Sequence, residues 1–340
     1  MHTGGKVEIT VNYHMRQKAN LGLLIEKHRA LDDSVLRDRR HFLSDWDGTH
    51  PLQEQFLGAE IAAGANKRPA GYIYFDEQPT VLHAVCDFHR RVEAIDLQSN
   101  NIVAGPGSSS LLVALSLWLL QEGYTEVFYV PPLYYTFHFF LRMLNVRLRP
   151  ATGAQLFESG AVLNLPPRRT VLLLCDPIWY AGRRVPRDKI ELIAEWQRKT
   201  NSIVIVDGSF QYMQWDGTRS EYSSLLDPEL TFRLVSPTKS LAIPFFRFAY
   251  LIHPSRVHRT FVFLYENIVG GATTSDLVFA HRALELLSSD KGNLALTAYF
   301  RNIYRRLVEK ELFRTRIVPE CGYFVFAVPK VQLPNQVAMD

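Results

Sequence analysis

From about residue 100 the chain alternates short apolar runs with stretches of helical spacing. Asn101-Ile102-Val103-Ala104, Val127-Phe128-Tyr129-Val130, Thr170 to Leu174, Ser202 to Val206, Thr231 to Val235 and Phe248 to Ile252 predict strands. The nearly unbroken apolar character of the middle runs is that of strands covered on both faces. Leu111 to Gln121 predicts a buried helix stopped by Gly123, and Asp188 to Lys199 an amphipathic one. Together they predict an α/β fold, a three-layer, mainly parallel sheet covered by helices. The first 50 residues are mixed and polar. From about 256 the pattern is helical, with apolar spacing over Leu284 to Leu287 and Tyr304 to Leu312, and the last strand signal is Gly322-Tyr323-Phe324-Val325-Phe326. The expected organisation is a large domain over 50–255 and a smaller flanking domain made of 1–49 and 256–340.

Composition narrows the function classes. A chain of 340 residues that is 47% hydrophobic and 21% charged is ordinary for a globular protein. Its net charge of +4 comes from 38 basic and 34 acidic residues spread along the chain, without the basic stripe that nucleic acid requires. Arg37-Asp38-Arg39-Arg40 is diluted by acids, and His89-Arg90-Arg91 and Arg301 to Arg306 read as polar helix faces. The three cysteines, Cys86, Cys175 and Cys321, have neither disulfide nor zinc spacing, so a reducing, cytoplasmic setting is expected. Met1 to Lys6 lacks the order of a secretory signal, and the longest apolar run, near Leu111 to Leu120, is about half a membrane span. No histidine spacing resembles a metal site, and no metal is expected.

The candidate chemistry lies after the strands, where open α/β sheets bind ligands. Lys239 stands in Ser236-Pro237-Thr238-Lys239-Ser240, Arg247 follows eight residues later, and Asp207 ends an apolar run thirty-two residues earlier. An aldehyde cofactor needs an amine to form an imine, an anion to hold a proton on its ring nitrogen, and a bidentate cation for its phosphate. Lysine, aspartate and arginine supply these in that order, which points to pyridoxal phosphate. Gly107-Ser108-Ser109-Ser110 before an apolar helix adds amides, hydroxyls and a helix dipole suited to an anion.

These residues make the chain resemble the fold-type I pyridoxal phosphate enzymes, in particular the class I/II aminotransferase family, over roughly residues 70 to 255. The serine three before the lysine, Pro244 and the arginine eight after carry the likeness most specifically. The resemblance implies that Lys239 binds the cofactor as an imine and shuttles the substrate proton, and that Asp207 pairs with the ring nitrogen. Arg247 and Ser236, with Ser108 and Ser109, would hold the phosphate. Tyr134, in Pro131-Pro132-Leu133-Tyr134-Tyr135, would stack on the cofactor ring. Tyr74 would reach the phosphate of a neighbouring subunit, so a homodimer with shared active sites is implied.

The chain also departs from the family pattern. Where the family has Asn-Pro-x-Asn-Pro-Thr-Gly, Asp176-Pro177-Ile178-Trp179-Tyr180-Ala181-Gly182 stands, so Trp179 takes the cofactor-contacting position of an asparagine. Phe210 stands where a tyrosine is expected three after the aspartate. Both usual donors to the cofactor's phenolic oxygen are replaced, which should raise the imine pKa unless Tyr180, Tyr212 or the Trp179 indole N–H substitutes. The family's arginine for the substrate carboxylate lies beyond the point where Asp340 ends this chain, leaving Arg183, Arg184 or an N-terminal residue for that task. The expected function is an aminotransferase of amino-acid biosynthesis acting on a small-molecule amino acid. The alternatives are a lyase, cyclase or oxidase using the same imine, or a non-catalytic binding protein on the same framework.

Overall fold

The computed structural model describes residues 73–329, apart from 76, 159, 244–245, 310–312, 316 and 325–326. The chain divides into two compact units, Asp47–Lys330 and a second formed by Met1–Trp46 with Val331–Asp340. All described residues belong to the first. Residues 1–49, expected in the smaller domain, and the Arg37 to Arg40 run lie outside the described residues.

Helix α1 (Pro79–Glu93) opens with proline at its first turn, where a missing N–H costs nothing, and ends at Ala94 in the left-handed region. It precedes β1 (Ile102–Gly105), α2 (Ser108–Gln121), β2 (Glu126–Tyr129), α3 (Tyr135–Met143), β3 (Arg147–Pro150) and β4 (Val171–Cys175). Then come α4 (Arg187–Thr200), β5 (Ile203–Gly208), β6 (Thr231–Val235), a single helical turn α5 (Pro237–Ser240) and β7 (Ala249–Ile252). Helices α6 (His258–Val269), α7 (Thr274–Ser288) and α8 (Asp290–Glu309) follow, and a small β8 (Phe313–Thr315) to β9 (Ala327–Pro329) pair closes the described part.

Seven strands form one sheet in the order β1-β7-β6-β5-β4-β2-β3. Pairings β3 to β2, β2 to β4, β4 to β5 and β5 to β6 are parallel, while β7 runs antiparallel to both β6 and β1. The apolar runs predict the strands well, but they carry no sign of direction. Edge strand β3 was not visible in the pattern because Arg147 and Arg149 lie exposed on it, and α1 and α3 also escaped it. The expected strand over Gly322 to Phe326 is not formed over 322–324: Gly322 takes φ 73°, its N–H bonds the Met213 carbonyl, and Cys321 makes an isolated bridge to Gln214. Residues 325–326 lie outside the described residues.

Along each strand alternate residues face opposite layers. One face of the sheet, with Leu173, Ile205, Phe232, Leu234 and Leu251, packs against α2 and α6 through Leu111, Leu115, Trp118 and Phe261. Phe232 is fully buried with its ring 4.6 Å from that of Trp118, so truncation to alanine should cost about 3–5 kcal/mol. The opposite face carries two apolar clusters. One gathers α1 and α7 over β1 and β7, the other gathers α4 over β4 and β5. Arg233 of β6 projects from this face.

Candidate active site

The register of the sheet assembles the site. Cys175 pairs with Asp207, and Asp207 with Leu234, so the carboxyl ends of β4, β5 and β6 line one edge. Because β7 is the reversed strand, its beginning lies at that same edge, beside the end of β1, with Gly105 opposite Ala249. Continuing that register two steps brings Gly107 opposite Arg247. The side chains agree: Gly107 adopts φ 91°, and a Cβ there would fall on the guanidinium, 3.0 Å from Cζ and 3.2 Å from Nε of Arg247. Only glycine permits both the backbone angle and the approach.

Past β1 the chain turns tightly, with the Gly107 N–H bonding the Gly105 carbonyl at 2.8 Å, and α2 begins at Ser108. Ser108 and Ser109 are half-buried in its first turn. Their backbone N–H groups have no intrahelical acceptor, so this end of a 14-residue helix offers partial positive charge beside an arginine.

Lys239 sits one strand away. Ser236 leads into the helical turn α5, which carries it. Lys239 donates its N–H to the Ser236 carbonyl at 2.9 Å and is half-buried. Around it Ser236, Thr238 and Ser240 are buried, Ser236 and Thr238 hydroxyls meet at 3.1 Å, and Ser240 Oγ donates to the Gln211 carbonyl at 2.8 Å. The last bond ties the lysine turn to the segment that follows Asp207. Asp207 itself is 8% exposed and takes both its hydrogen bonds on Oδ1, from the Ser209 N–H at 3.1 Å and hydroxyl at 2.6 Å. Burial pushes its carboxyl pKa up against the pull of those two donors. A carboxylate so placed is suited to a cationic partner.

The other end of the edge is aromatic. Trp179 lies in a 3-10 turn after β4, and Phe210 follows β5. Both rings meet Phe324, at 5.5 and 5.6 Å between centroids, and Phe210 also meets Tyr323 at 5.4 Å. The two departures from the family pattern are therefore joined by a third segment. Sequence reading missed Tyr323 and Phe324 as site residues; their adjacency to a glycine with positive φ was the available signal. Tyr134 precedes α3, half-buried, with its ring 4.6 Å from that of Tyr135. Burial raises the phenol pKa of both Tyr134 and Tyr323, and each of these pKa values feels a neighbour in the site, Asp207 for Tyr134 and Tyr134 for Tyr323. Tyr74 is half-buried beside Phe75, whose ring packs 5.8 Å from Phe248.

Beneath the aromatic end lie buried charges. Asp176 Oδ1 accepts from the Val185 N–H at 2.9 Å, closing the loop that carries Trp179. Glu221 Oε1 accepts from the Tyr212 N–H at 2.7 Å and from Gln214 Nε2, closing the segment that follows Phe210. The second oxygen of each carboxyl, Asp176 Oδ2 and Glu221 Oε2, is buried without a hydrogen-bond partner among the described residues. Burial pushes Asp176 up to about 6, against Val185 N–H and Arg184; burial and the Asp176 charge push Glu221 up to about 8. Arg183 and Arg184, offered above for the substrate carboxylate, are half-buried and both approach Glu320, at 3.4 and 3.9 Å.

One residue of the predicted polar helix faces is misplaced. Arg90, Arg91, Arg301 and Arg305 are exposed, but His89 is fully buried, facing the sheet. Its Nδ1 lies 2.7 Å from Glu93 and 3.0 Å from an Arg233 terminal nitrogen, and its Nε2 lies 2.8 Å from the Tyr250 hydroxyl. Burial alone would raise the Glu93 carboxyl, but the Arg233 charge together with the hydrogen bonds from His89 and Arg233 outweighs it and lowers the pKa to about 2. Arg233 binds Glu93 with both terminal nitrogens, at 2.9 and 2.6 Å. Among the described residues no three His, Cys, Asp or Glu side chains cluster as metal ligands, and no helix is long and apolar enough to cross a membrane.

The edge thus combines an amine on Lys239, a buried carboxyl on Asp207, a cation-and-amide cradle at Gly107, Ser108 and Arg247, and an aromatic wall. Those groups fit a flat, phosphorylated cationic heteroaromatic aldehyde. The sequence profile described as Aminotransferase class I and II matches residues 45–281. No curated protein sequence matches the chain. Among solved structures, a probable N-succinyldiaminopimelate aminotransferase of Thermus thermophilus is similar with a TM-score of 0.72 at 16% identity, covering 89% of this chain and 85% of that one. A double mutant of Thermus thermophilus aspartate aminotransferase gives 0.69 at 19% identity, over 88% and 81% of the two chains. Substrate-bound BacF of Bacillus subtilis gives 0.71 at 16%, over 92% and 81%. At these identities the likeness is one of fold.

Proposed function

Because the chain belongs to the class I and II aminotransferase family, enzymes that use pyridoxal phosphate, we propose that it transfers the amino group of an amino acid to a keto acid, with Lys239 as the catalytic residue. When bound, the cofactor supplies an electron sink for the substrate's α-carbon. Lys239 Nζ holds the cofactor and then moves the proton released at that carbon. Asp207 keeps a proton on the ring nitrogen; pairing with that cation compensates the burial that otherwise raises its pKa. Arg247, Ser236, Ser108 and Ser109 would hold the phosphate, Tyr134 would stack on the ring, and Trp179 would contact the cofactor.

The observation that carries this reading is the convergence of Gly107 and Arg247 at the same sheet edge as Asp207 and Lys239. These residues are 140 positions apart at the extremes, and no shared packing need explains all four. Tyr74 is assigned to the phosphate of a second subunit, which makes the active unit a homodimer. That all three cysteines are buried and unpaired supports a reducing, cytoplasmic setting.

The test is an absorbance spectrum of the purified protein with pyridoxal phosphate, alongside turnover of amino donors with a keto acid. Wild type should show a violet-region band that borohydride fixes covalently; Lys239→Ala should lose covalent fixation and about 10²–10⁴-fold of the rate. Sustained turnover without any keto acid would assign an elimination instead. Cofactor binding with no turnover of any donor would assign a binding role.

A further inference from the structure

Tyr265 lies on α6, outside every motif considered above, yet its hydroxyl reaches the turn that opens α2. Its side chain is 2% exposed, and the hydroxyl is packed so closely on Gly105 that a Cβ there would overlap it. Tyr265 Oη is 2.9 Å from Ser110 Oγ, and Ser110 Oγ donates to the Gly107 carbonyl at 2.8 Å. A serine hydroxyl has one proton. Since Ser110 spends it on Gly107, the Tyr265 O–H is the donor in the first bond. The chain therefore runs in one direction, from Tyr265 through Ser110 to Gly107, and each donor strengthens the next.

The consequence follows from the planarity of the peptide group. In a trans peptide the carbonyl and the following N–H point in opposite directions. Pinning the Gly107 carbonyl toward Ser110 turns the Ser108 N–H the other way, toward the anion cradle. Gly107 is also the residue against which Arg247 rests, so the same pin sets the floor on which the guanidinium lies. A glycine at φ 91° has wide freedom in the unbound chain; as the N-cap of α2 its carbonyl takes the first helical N–H, and the Ser110 hydroxyl adds a second bond that narrows the remaining rotation of this peptide plane.

We infer that Tyr265 is a positioning residue for cofactor affinity: through Ser110 it fixes the Gly107–Ser108 peptide and thereby preorganises the phosphate cradle. This rests on the phosphate role proposed for Gly107, Ser108 and Arg247. Tyr265 touches neither cofactor nor substrate in this scheme, and its effect is confined to the phosphate end of the ligand. Ser110 acts as the relay, which explains why this serine in the first turn of α2 is bonded on both sides.

The experiment compares equilibrium binding of pyridoxal phosphate and of pyridoxal, which lacks the phosphate, by wild type, Tyr265→Phe, Ser110→Ala and the double variant. Each single variant should raise the dissociation constant for pyridoxal phosphate by about 5- to 10-fold and leave that for pyridoxal unchanged. The double variant should be no worse than the weaker-binding single one, because both break one relay. An equal loss for the two ligands would show that Tyr265 only supports packing and would overturn the inference, as would unchanged affinity for both. If wild type itself binds the two ligands equally, the phosphate cradle and not Tyr265 is misassigned.

Discussion

The two ends of the strand edge are built on opposite principles. The end at Gly107, Ser108 and Arg247 is polar, made of backbone amides, a helix start and a guanidinium, and each part has a fixed direction. The end at Trp179, Phe210, Tyr323 and Phe324 is a set of rings packed on one another, with the buried carboxyls of Asp176 and Glu221 behind it. The polar end holds the residues on which the resemblance to the family rests, and the aromatic end holds the positions where the chain departs from the family pattern. The difference is physical: binding a phosphate tolerates little displacement of its donors, whereas a wall that excludes water can be rebuilt from several rings.

Three substitutions test that contrast, in descending order of effect. Gly107→Ala places a side chain on the Arg247 guanidinium in a left-handed conformation that costs about 1–3 kcal/mol by itself. The cofactor dissociation constant, measured by titration, should rise on the order of 100-fold. A rise of less than a few-fold would mean the polar end is not rigid.

The second substitution addresses the support of the aromatic end. In the folded protein burial holds protons on Asp176 up to about pH 6 and on Glu221 up to about pH 8. The unfolded chain releases both near pH ~4, so within this window it binds fewer protons than the folded state. Stability should therefore fall as pH rises from about 4 to 8, by up to about 1.4 kcal/mol per unit for each group in its own range. Glu221→Gln keeps the acceptor for Tyr212 and Gln214 and should flatten the fall above pH ~6. Thermal melts across pH 5 to 9 check this, and an unchanged slope in the variant would place the dependence elsewhere.

The smallest effect is expected from Phe210→Tyr. A hydroxyl added to the 7%-exposed Phe210 ring offers the cofactor's phenolic oxygen a donor. The midpoint at which the violet band titrates should drop by about one pH unit or less. No shift would mean that this ring faces Tyr323 and Phe324 only and belongs to the wall.

Much of the proposed site was legible because its residues lie in local sequence. Ser236, Lys239 and Arg247 stand at short fixed spacings, Asp207 ends a readable strand, and the glycine-serine turn precedes a readable helix. The rest was carried by contacts between distant segments. Tyr323 and Phe324 join the site only because the backbone turns at Gly322, and Cys321 and Glu320 donate their N–H groups to the Gly182 carbonyl at 3.1 and 2.7 Å. His89 read as surface because its neighbours Arg90 and Arg91 are, yet one helical step turns it toward Tyr250. Tyr265 had no local signal at all.

The sequence alone determined the buried strands of the sheet and the helices α2 and α4, and which residues carry an amine, a carboxyl and a guanidinium, since apolar period and residue chemistry are properties of neighbours along the chain; the exposed edge strand β3 and the helices α1 and α3 were not among them. Strand direction and order are not. An apolar run reads the same whether it runs parallel or antiparallel, and only the folded sheet decided that β7 runs backward beside β1. That reversal brings Arg247 to Gly107, at the edge where the forward strands β5 and β6 deliver Asp207 and Lys239.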